Sequence, residues 1–287
     1  MKYAWIEEHR DQFSVTRMCR QLDVSRTGYC QWRTREPSER ARANAALDAQ
    51  VAAIHEGSKR SYGRPRIVRG LRDCGIHASH ERVRNSLNRQ GLRAVYKRRY
   101  RVTTKSEHHQ PIAANVLDRR FDGWQLNQAW VGDITYVETA EGWLYLACVM
   151  DLASRRIVGW SMSDRIKTDL VSQALTSAYW LRKPPAGLIM HTDRGCQYAS
   201  VSHRKLIRDY EMVQSMSRRA NCWDNAAIES FFKTLKVERL HRIRYQSRAE
   251  AKLDIVDWIE GFYNRQRIHS SIGYRTPVAV ESSFMTA

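Results

Sequence analysis

At 287 residues the chain is long enough for two or three small domains or one large one with a good core. Its 48 Lys and Arg against 30 Asp and Glu leave a formal charge of +18, which points to a polyanionic partner such as DNA. No apolar run approaches the ~20 residues of a membrane span, and the first residues lack the apolar segment and cleavage site of a secretory signal. The six cysteines (Cys19, Cys30, Cys74, Cys148, Cys196 and Cys222) include no C-x-x-C pair. That argues against a zinc ribbon and a disulfide framework, and the chain is read as cytoplasmic.

The charge is uneven. Residues 1–110 hold 24 basic against 11 acidic side chains, and residues 111–287 hold 24 against 19. A basic front half on a nearly balanced rear half reads as a DNA-binding region joined to a folded catalytic domain. In residues 1–35, Phe13, Val15, Met18, Cys19 and Leu22 follow helical spacing. Asp23-Val24-Ser25 then makes a short turn, with Ser25 as N-cap of a second helix that starts at Arg26-Thr27. This is the pattern of a helix-turn-helix unit, whose second helix would carry Arg26 into the major groove; an ordinary helical hairpin has the same pattern. Residues 36–50 are polar and Ala-rich and read as a linker leading into another helix.

The pattern recurs after Val51. Ala45, Leu47, Val51 and Ile54 suggest a helix, SYGRPR a turn, and SHERVRNSLNRQG a helix capped by Ser79 and closed by Gly91. Candidate DNA contacts here are Arg64, Arg66, Arg82, Arg84 and Arg89, each more suited to phosphate than to a base edge. Residues 97–110 form a basic linker. The expected domains are 1–50, 51–110 and 111–287.

From about Asn115 the pattern becomes α/β. WVGDITYVET, GWLYLACVMDLAS and RRIVGWSMS read as three strands, with turns at Glu141-Gly142 and Ala153-Ser154. Lys167-Thr168-Asp169 starts a helix that ends before Pro184-Pro185. Residues 187–191 form a fourth strand, parallel to the first, which delivers Asp193 at its carboxyl end. A helix near 200–209 leads to a fifth strand in EMVQSMS, and a helix with Leu253, Ile255, Val256, Ile259 and Phe262 apolar runs from Arg248 to Asn264.

Three acids stand out. Asp133 interrupts the first strand, where a bare charge is costly unless paired or coordinated. Asp193 follows the fourth strand, and Glu229 comes after 35 intervening residues on a helix that Asp224 or Asn225 can cap. On that helix Asn225, Glu229, Lys233 and Lys236 share one stripe, beside the apolar Ile228, Phe231 and Leu235. Two aspartates and a glutamate so placed can fold into a carboxylate cluster for a hard cation such as Mg²⁺. Without cations the three would repel one another and raise their own pKa values. His191 suits a structural or substrate-positioning role better than Mg²⁺ ligation, and Arg194 and Gln197 lie beside Asp193.

WVGDITYV, HTDRGCQY and WDNAAIESFFKTLKVE resemble the signatures of the DDE transposase and retroviral integrase superfamily. More closely, the chain resembles the downstream-frame transposase of two-frame bacterial insertion sequences, over nearly its whole length. That resemblance implies a ribonuclease-H-like catalytic domain, a mixed five-stranded sheet with helices, preceded by an all-α helix-turn-helix region. It implies that Asp133, Asp193 and Glu229 are catalytic and ligate two Mg²⁺ ions, with Mn²⁺ as substitute, and that Lys236 contacts DNA. Lys233 and Asn225, on the same stripe, are taken as further DNA contacts. The expected reaction is 3′ nicking at element ends followed by strand transfer. The expected partners are double-stranded DNA, further copies of the chain, and the upstream-frame product or a fusion with it. Two other classes fit parts of the pattern: a DNA-binding regulator with a relic rear domain, and a plain nuclease of the same fold.

Overall fold

A computed structural model describes residues 1–95, 110–219 and 221–285. The expected basic linker lies outside the described residues except for Gln110.

The chain begins with three short helices, α1 (Lys2–His9), α2 (Val15–Gln21) and α3 (Arg26–Thr34). They close over a small core of Ile6, Met18, Cys19 and Tyr29. Ser25 caps α3 as its position implies, its Oγ accepting from Gly28 N–H at 3.2 Å. Phe13 falls in the turn before α2 and is exposed.

The polar segment expected as a linker is helical instead. α4 runs over Glu39–Gly57, its N-terminus capped by Ser38. The boundary expected at residues 50 and 51 therefore falls inside α4. Alanine-rich polar sequence has high helix propensity, and Leu47 and Val51 give it a buried stripe. α4 packs with α5 (Arg64–Asp73) and α6 (His80–Arg89) around Ile67, Val68, Leu71, Val83 and Leu87. Ser79 caps α6 by accepting from Arg82 N–H at 3.2 Å, and Gly91, at φ +63°, ends it.

The rear domain is a five-stranded sheet. Its strands are β1 (Ala129–Thr139), β2 (Gly142–Asp151), β3 (Ile157–Ser163), β4 (Ile189–Thr192) and β5 (Val213–Met216), in the order β3-β2-β1-β4-β5. β1, β2 and β3 pair antiparallel, while β4 is parallel to β1 and β5 to β4. Gly142 turns the first hairpin at φ +101°, and Arg155 takes φ 62° in the longer bend between β2 and β3. In that bend Asp151 Oδ1 accepts from Ala153 and Ser154 N–H.

Strand alternation sorts the core into two layers. Trp130, Ala147, Val149 and Val158 face α7 (Thr168–Arg182), α8 (Cys196–Ala199) and α9 (Val201–Asp209). Val131, Val137, Leu146 and Cys148 face α10 (Ala226–Glu238) and the helix that follows it. That helix, α11 (Arg248–Val256), continues as a π-helical stretch over Asp257–Tyr263, and α12 (Pro277–Met285) ends the fold. α7 starts without a side-chain cap and ends where Lys183 adopts φ 42°. Leu253, expected in the apolar stripe of α11, is exposed. No described helix is long and apolar enough to cross a membrane.

α7 lies unusually close to β3 at Gly159. A Cβ there would stand 2.3 Å from Ala174 O and 2.7 Å from Ala178 N, both backbone atoms that cannot swing aside. Gly159→Ala is expected to lower stability by roughly 1–3 kcal/mol through overpacking, read as a lower urea midpoint. An unchanged midpoint would show that the helix floats on the sheet.

Candidate active site

The site is set by strand register. β1 and β4 run parallel with Gly132 opposite Thr192, so the next residues, Asp133 inside β1 and Asp193 just past the end of β4, stand side by side. Adjacent strands lie ~4.8 Å apart and residues in register share a face. On the opposite face, a Cβ at Gly132 would stand 2.5 Å from Met190 Cε, the flexible end of that side chain. Asp133 shares its face with Val131 and Val137, the face α10 covers, and Glu229 lies in the first turn of α10. Each aspartate is steered by one backbone amide. Ile134 N–H donates to Asp133 Oδ1 at 2.8 Å, and Gly195 N–H to Asp193 Oδ1 at 2.9 Å.

The electrostatics show that the acids share one site. Burial, then the charges of Asp193 and Glu229, hold the Asp133 carboxyl well above its ordinary range, opposed by Ile134 N–H and the Lys236 ammonium. Burial and Asp193 raise Glu229 in the same way. Burial and the nearby aspartates push up the Tyr198 phenol as well. Among the described residues no three His, Cys, Asp or Glu side chains stand close enough to hold a metal ion as they are. The acids sense one another without meeting at a point. An all-oxygen, three-carboxylate donor set fits a hard divalent cation.

The N-terminus of α10 is fixed by two neighbours whose roles differ from expectation. Asp224 does not cap the helix. It is fully buried and accepts from Arg218 N–H at 2.8 Å, Arg218 Nε and Nη2 at 2.9 Å, Arg119 Nε at 2.8 Å and Asn115 Nδ2 at 3.0 Å. The Arg218 side chain foremost holds its carboxyl far below the usual range. Asn225 is buried too, 2% exposed, and its Nδ2 donates to Gly132 O at 3.3 Å. It thus ties α10 to the strand residue before Asp133 and does not lie on the expected DNA-facing stripe. The signal that could have flagged these two was the polar Asp-Asn pair between Trp223 and an apolar helix, which invites an interior role as readily as a cap. His191 is wholly buried between Ser215 Oγ at 2.8 Å and Ser217 Oγ at 3.2 Å, and burial lowers its pKa to about 4. Neutral and enclosed, it is structural. Arg194 Nε donates to Ser217 O at 2.6 Å, which holds the loop after Asp193 to the one after β5.

The other candidate DNA contacts divide. Lys233 is exposed one turn beyond Glu229, and Lys236 is half-buried with its ammonium 4.5 Å from the centre of the Tyr136 ring. Arg26, Arg64 and Arg82 are exposed at helix starts, and Arg84, also exposed, pairs with Glu81 at 2.6 Å. Arg82 also lines a polar cleft of about 290 Å³ between α4 and α6, with Arg40, Asn44, Asn85 and Arg89. Arg66 turns inward. It lies over the Tyr62 ring and 3.7 Å from Glu238, so it is not part of an exposed DNA-binding face. A larger cleft of about 1090 Å³ opens between β3, α7 and α11, and none of the three acids lines it.

Comparison with known proteins decides the family. Residues 125–222 and 210–277 both match families described as integrase core domain, and residues 41–100 match an HTH-like domain. The chain is 43% identical to "Transposase InsF for insertion sequence IS3A" of Escherichia coli K12 over 285 residues, covering 98% of this chain and 99% of that one. The chain belongs to the IS3 family of insertion-sequence transposases. It is 40% identical to an insertion element IS600 31 kDa protein of Shigella sonnei, over 93% of this chain and 98% of that protein. A chain of a simian T-cell lymphotropic virus intasome aligns with 80% of this chain and 73% of its own length, at 16% identity and TM-score 0.47. The protein is thus a DDE-type polynucleotidyl transferase, a DNA-binding transposase with a ribonuclease-H-like core behind a helix-turn-helix region.

Two measurements test the site of this transposase. A carboxyl whose folded pKa is raised binds its proton more tightly folded than unfolded, so its ionisation at neutral pH costs stability. Asp133→Asn is therefore expected to melt above the parent at neutral pH without divalent cations, the gain shrinking as acid protonates the parent. A lower melting temperature throughout would show that the acids are not under charge strain. Asp224→Ala deletes the acceptor of several charged hydrogen bonds and should cost about 2–3 kcal/mol in urea unfolding. Cleavage should suffer more than DNA binding, because the lost contacts seat the helix of Glu229.

Proposed function

We propose that this transposase nicks the 3′ ends of its element and joins them to target DNA at the cluster of Asp133, Asp193 and Glu229. The observation that carries this reading is the register that puts Asp133 beside Asp193 in an integrase core, with burial and the Asp193 charge raising both Asp133 and the helix-borne Glu229. These side chains would hold two Mg²⁺ ions, or Mn²⁺ in their place, which when bound activate the attacking oxygen and neutralise the leaving one.

The residues of the chain do the positioning. Ile134 and Gly195 N–H steer the two aspartates, and Asn225 and Asp224 set where Glu229 enters. Lys233 and Lys236, one and two turns along α10 from Glu229, offer ammonium groups to the DNA backbone. α6, with Arg82 and Arg84 outward, suits the major groove of double-stranded DNA at the element end, and Arg26 and Arg64 suit its phosphates. In the first step water attacks phosphorus in line and the 3′-oxygen leaves. In the second, that 3′-hydroxyl attacks a target phosphodiester and the target's own 3′-oxygen leaves. No covalent protein–DNA intermediate is needed. Further copies of the chain would bring two ends together.

The test uses the purified chain, DNA carrying the end of its element, and Mg²⁺ or Mn²⁺. Nicked and joined products are expected, and Asp193→Asn should reduce both on the order of 10³-fold or more. Cutting without joining would overturn the strand-transfer half. Products that persist in the variant would overturn the site. Binding without either activity, and activity only in a fusion with the upstream-frame product, would assign the missing part to that product.

A further inference from the structure

The second helical unit meets the catalytic domain through the turn between α4 and α5, and that contact is specific. Tyr62 is buried, its hydroxyl donating to Gln266 O at 3.2 Å and accepting from Ile268 N–H at 2.8 Å. Lys59 Nζ pairs with Asp257 Oδ2 at 2.7 Å, while its carbonyl accepts from Arg242 Nη1 at 2.8 Å. Arg66 lies 3.7 Å from Glu238, the last residue of α10, and Arg267 grips that carboxylate with Nε at 2.8 Å and Nη2 at 2.7 Å. The partners that bridge the two units lie 172 to 206 positions apart in the chain, so none of these bridging contacts is local turn chemistry.

The turn itself is held in a costly shape. Lys59 and Arg60 take φ 53° and 59° in succession, a left-handed conformation that side chains with a Cβ resist. Ser58 Oγ donates to His55 O and Ser61 Oγ to Ser58 O, each at 2.7 Å, and both serines are buried. Strain of this kind persists only where the surroundings over-determine it. The outward residues of α6, Arg82, Arg84, Asn85 and Asn88, stay exposed on the same unit.

We propose that Lys59, Tyr62 and Arg66 form a register-setting joint. It fixes the distance between the DNA sequence read by α6 and the phosphodiester presented to Asp133, Asp193 and Glu229. This rests on the proposed function above. α10 connects the two ends of the device, because Glu229 in its first turn and Glu238 at its last residue stand nine residues, about 13 Å, apart on one helix. A flexibly tethered reader would offer a spread of distances and nick over several positions. A docked reader offers one.

The experiment compares the full chain with Tyr62→Phe, which deletes the hydroxyl without a cavity, with Lys59→Met, and with their double variant, on element-end DNA. Affinity and footprint are expected within about twofold of the parent, because these side chains face protein. The nick, mapped to single nucleotides, should spread over neighbouring positions, with the main product falling about tenfold in the double variant. Arg66→Met should act in the same way and Arg66→Lys restore the parent pattern. A lower yield at an unchanged position would overturn the joint and leave the contact a support of the fold. Loss of the footprint would overturn it by showing that these side chains touch DNA. A second readout needs no chemistry: the distance distribution between spin labels at Asn88 and Leu253, both exposed, with exposed native cysteines replaced. It should be narrow in the parent and broad in the double variant. A broad parent distribution overturns the joint even if nicking is found. A narrow one with no nicking in the parent overturns the proposed function and upholds the joint. Lys59→Met alone, which removes one partly exposed ion pair, decides the case if the double variant fails to fold.

Discussion

Three negative charges must be kept within reach of one another on one largely buried face of the sheet. Burial foremost, and then the charge of Asp193, raises the protonation of Asp133 and Glu229, with Glu229 adding to the effect on Asp133. Left to themselves such groups would drift apart or take up protons. Much of the surrounding structure can be understood as what stops them. The parallel pairing of β1 with β4 makes two of them neighbours by register. Two backbone amides each hold one aspartate oxygen. The third acid cannot be set by register, because it comes from a helix.

That helix is pinned from both ends by charge. At its start, buried Asp224 gathers Arg218, Arg119 and Asn115, and so ties together the lead-in to the domain, the loop after β5 and the first residues of α10. Asn225 adds a bond to the carbonyl beside Asp133. At its end, Glu238 is gripped by Arg267, with Arg66 of the helical unit beside it. Between these points Ile228, Phe231, Phe232 and Leu235 press the helix onto the sheet. Apolar contact supplies attraction with little direction. The charged contacts at the two ends supply the direction.

What could be read from the sequence follows the same division. β1 was legible because alternation is local, and Asp133 was conspicuous because it breaks that alternation. Ser25 and Ser79 were legible as caps because a cap needs only the next three residues. α4 was not legible over its first half, since a polar, alanine-rich helix and a polar linker have the same composition. Asn225 and Arg66 were misplaced for a deeper reason. The groups that draw them inward, Gly132 and Glu238, lie 93 and 172 positions away. Leu253 failed in the opposite direction, since periodicity names an apolar face without showing that anything covers it.

The same long-range contacts hold the second helical unit against the catalytic domain. The core containing Leu47, Ile67 and Val83 continues into the one containing Phe231, Trp258 and Tyr263. Apolar continuity alone would let the unit slide or pivot, because burial is nearly indifferent to direction. The phenol of Tyr62, held as donor and acceptor at once, and the Lys59–Asp257 pair remove that freedom. A transferase that must choose one phosphodiester among identical neighbours has only geometry with which to choose, since the phosphate backbone carries no sequence. The choice must be made where bases are read and then carried to the acids without slack, and a strained turn locked against α10 is a short, stiff route for doing so.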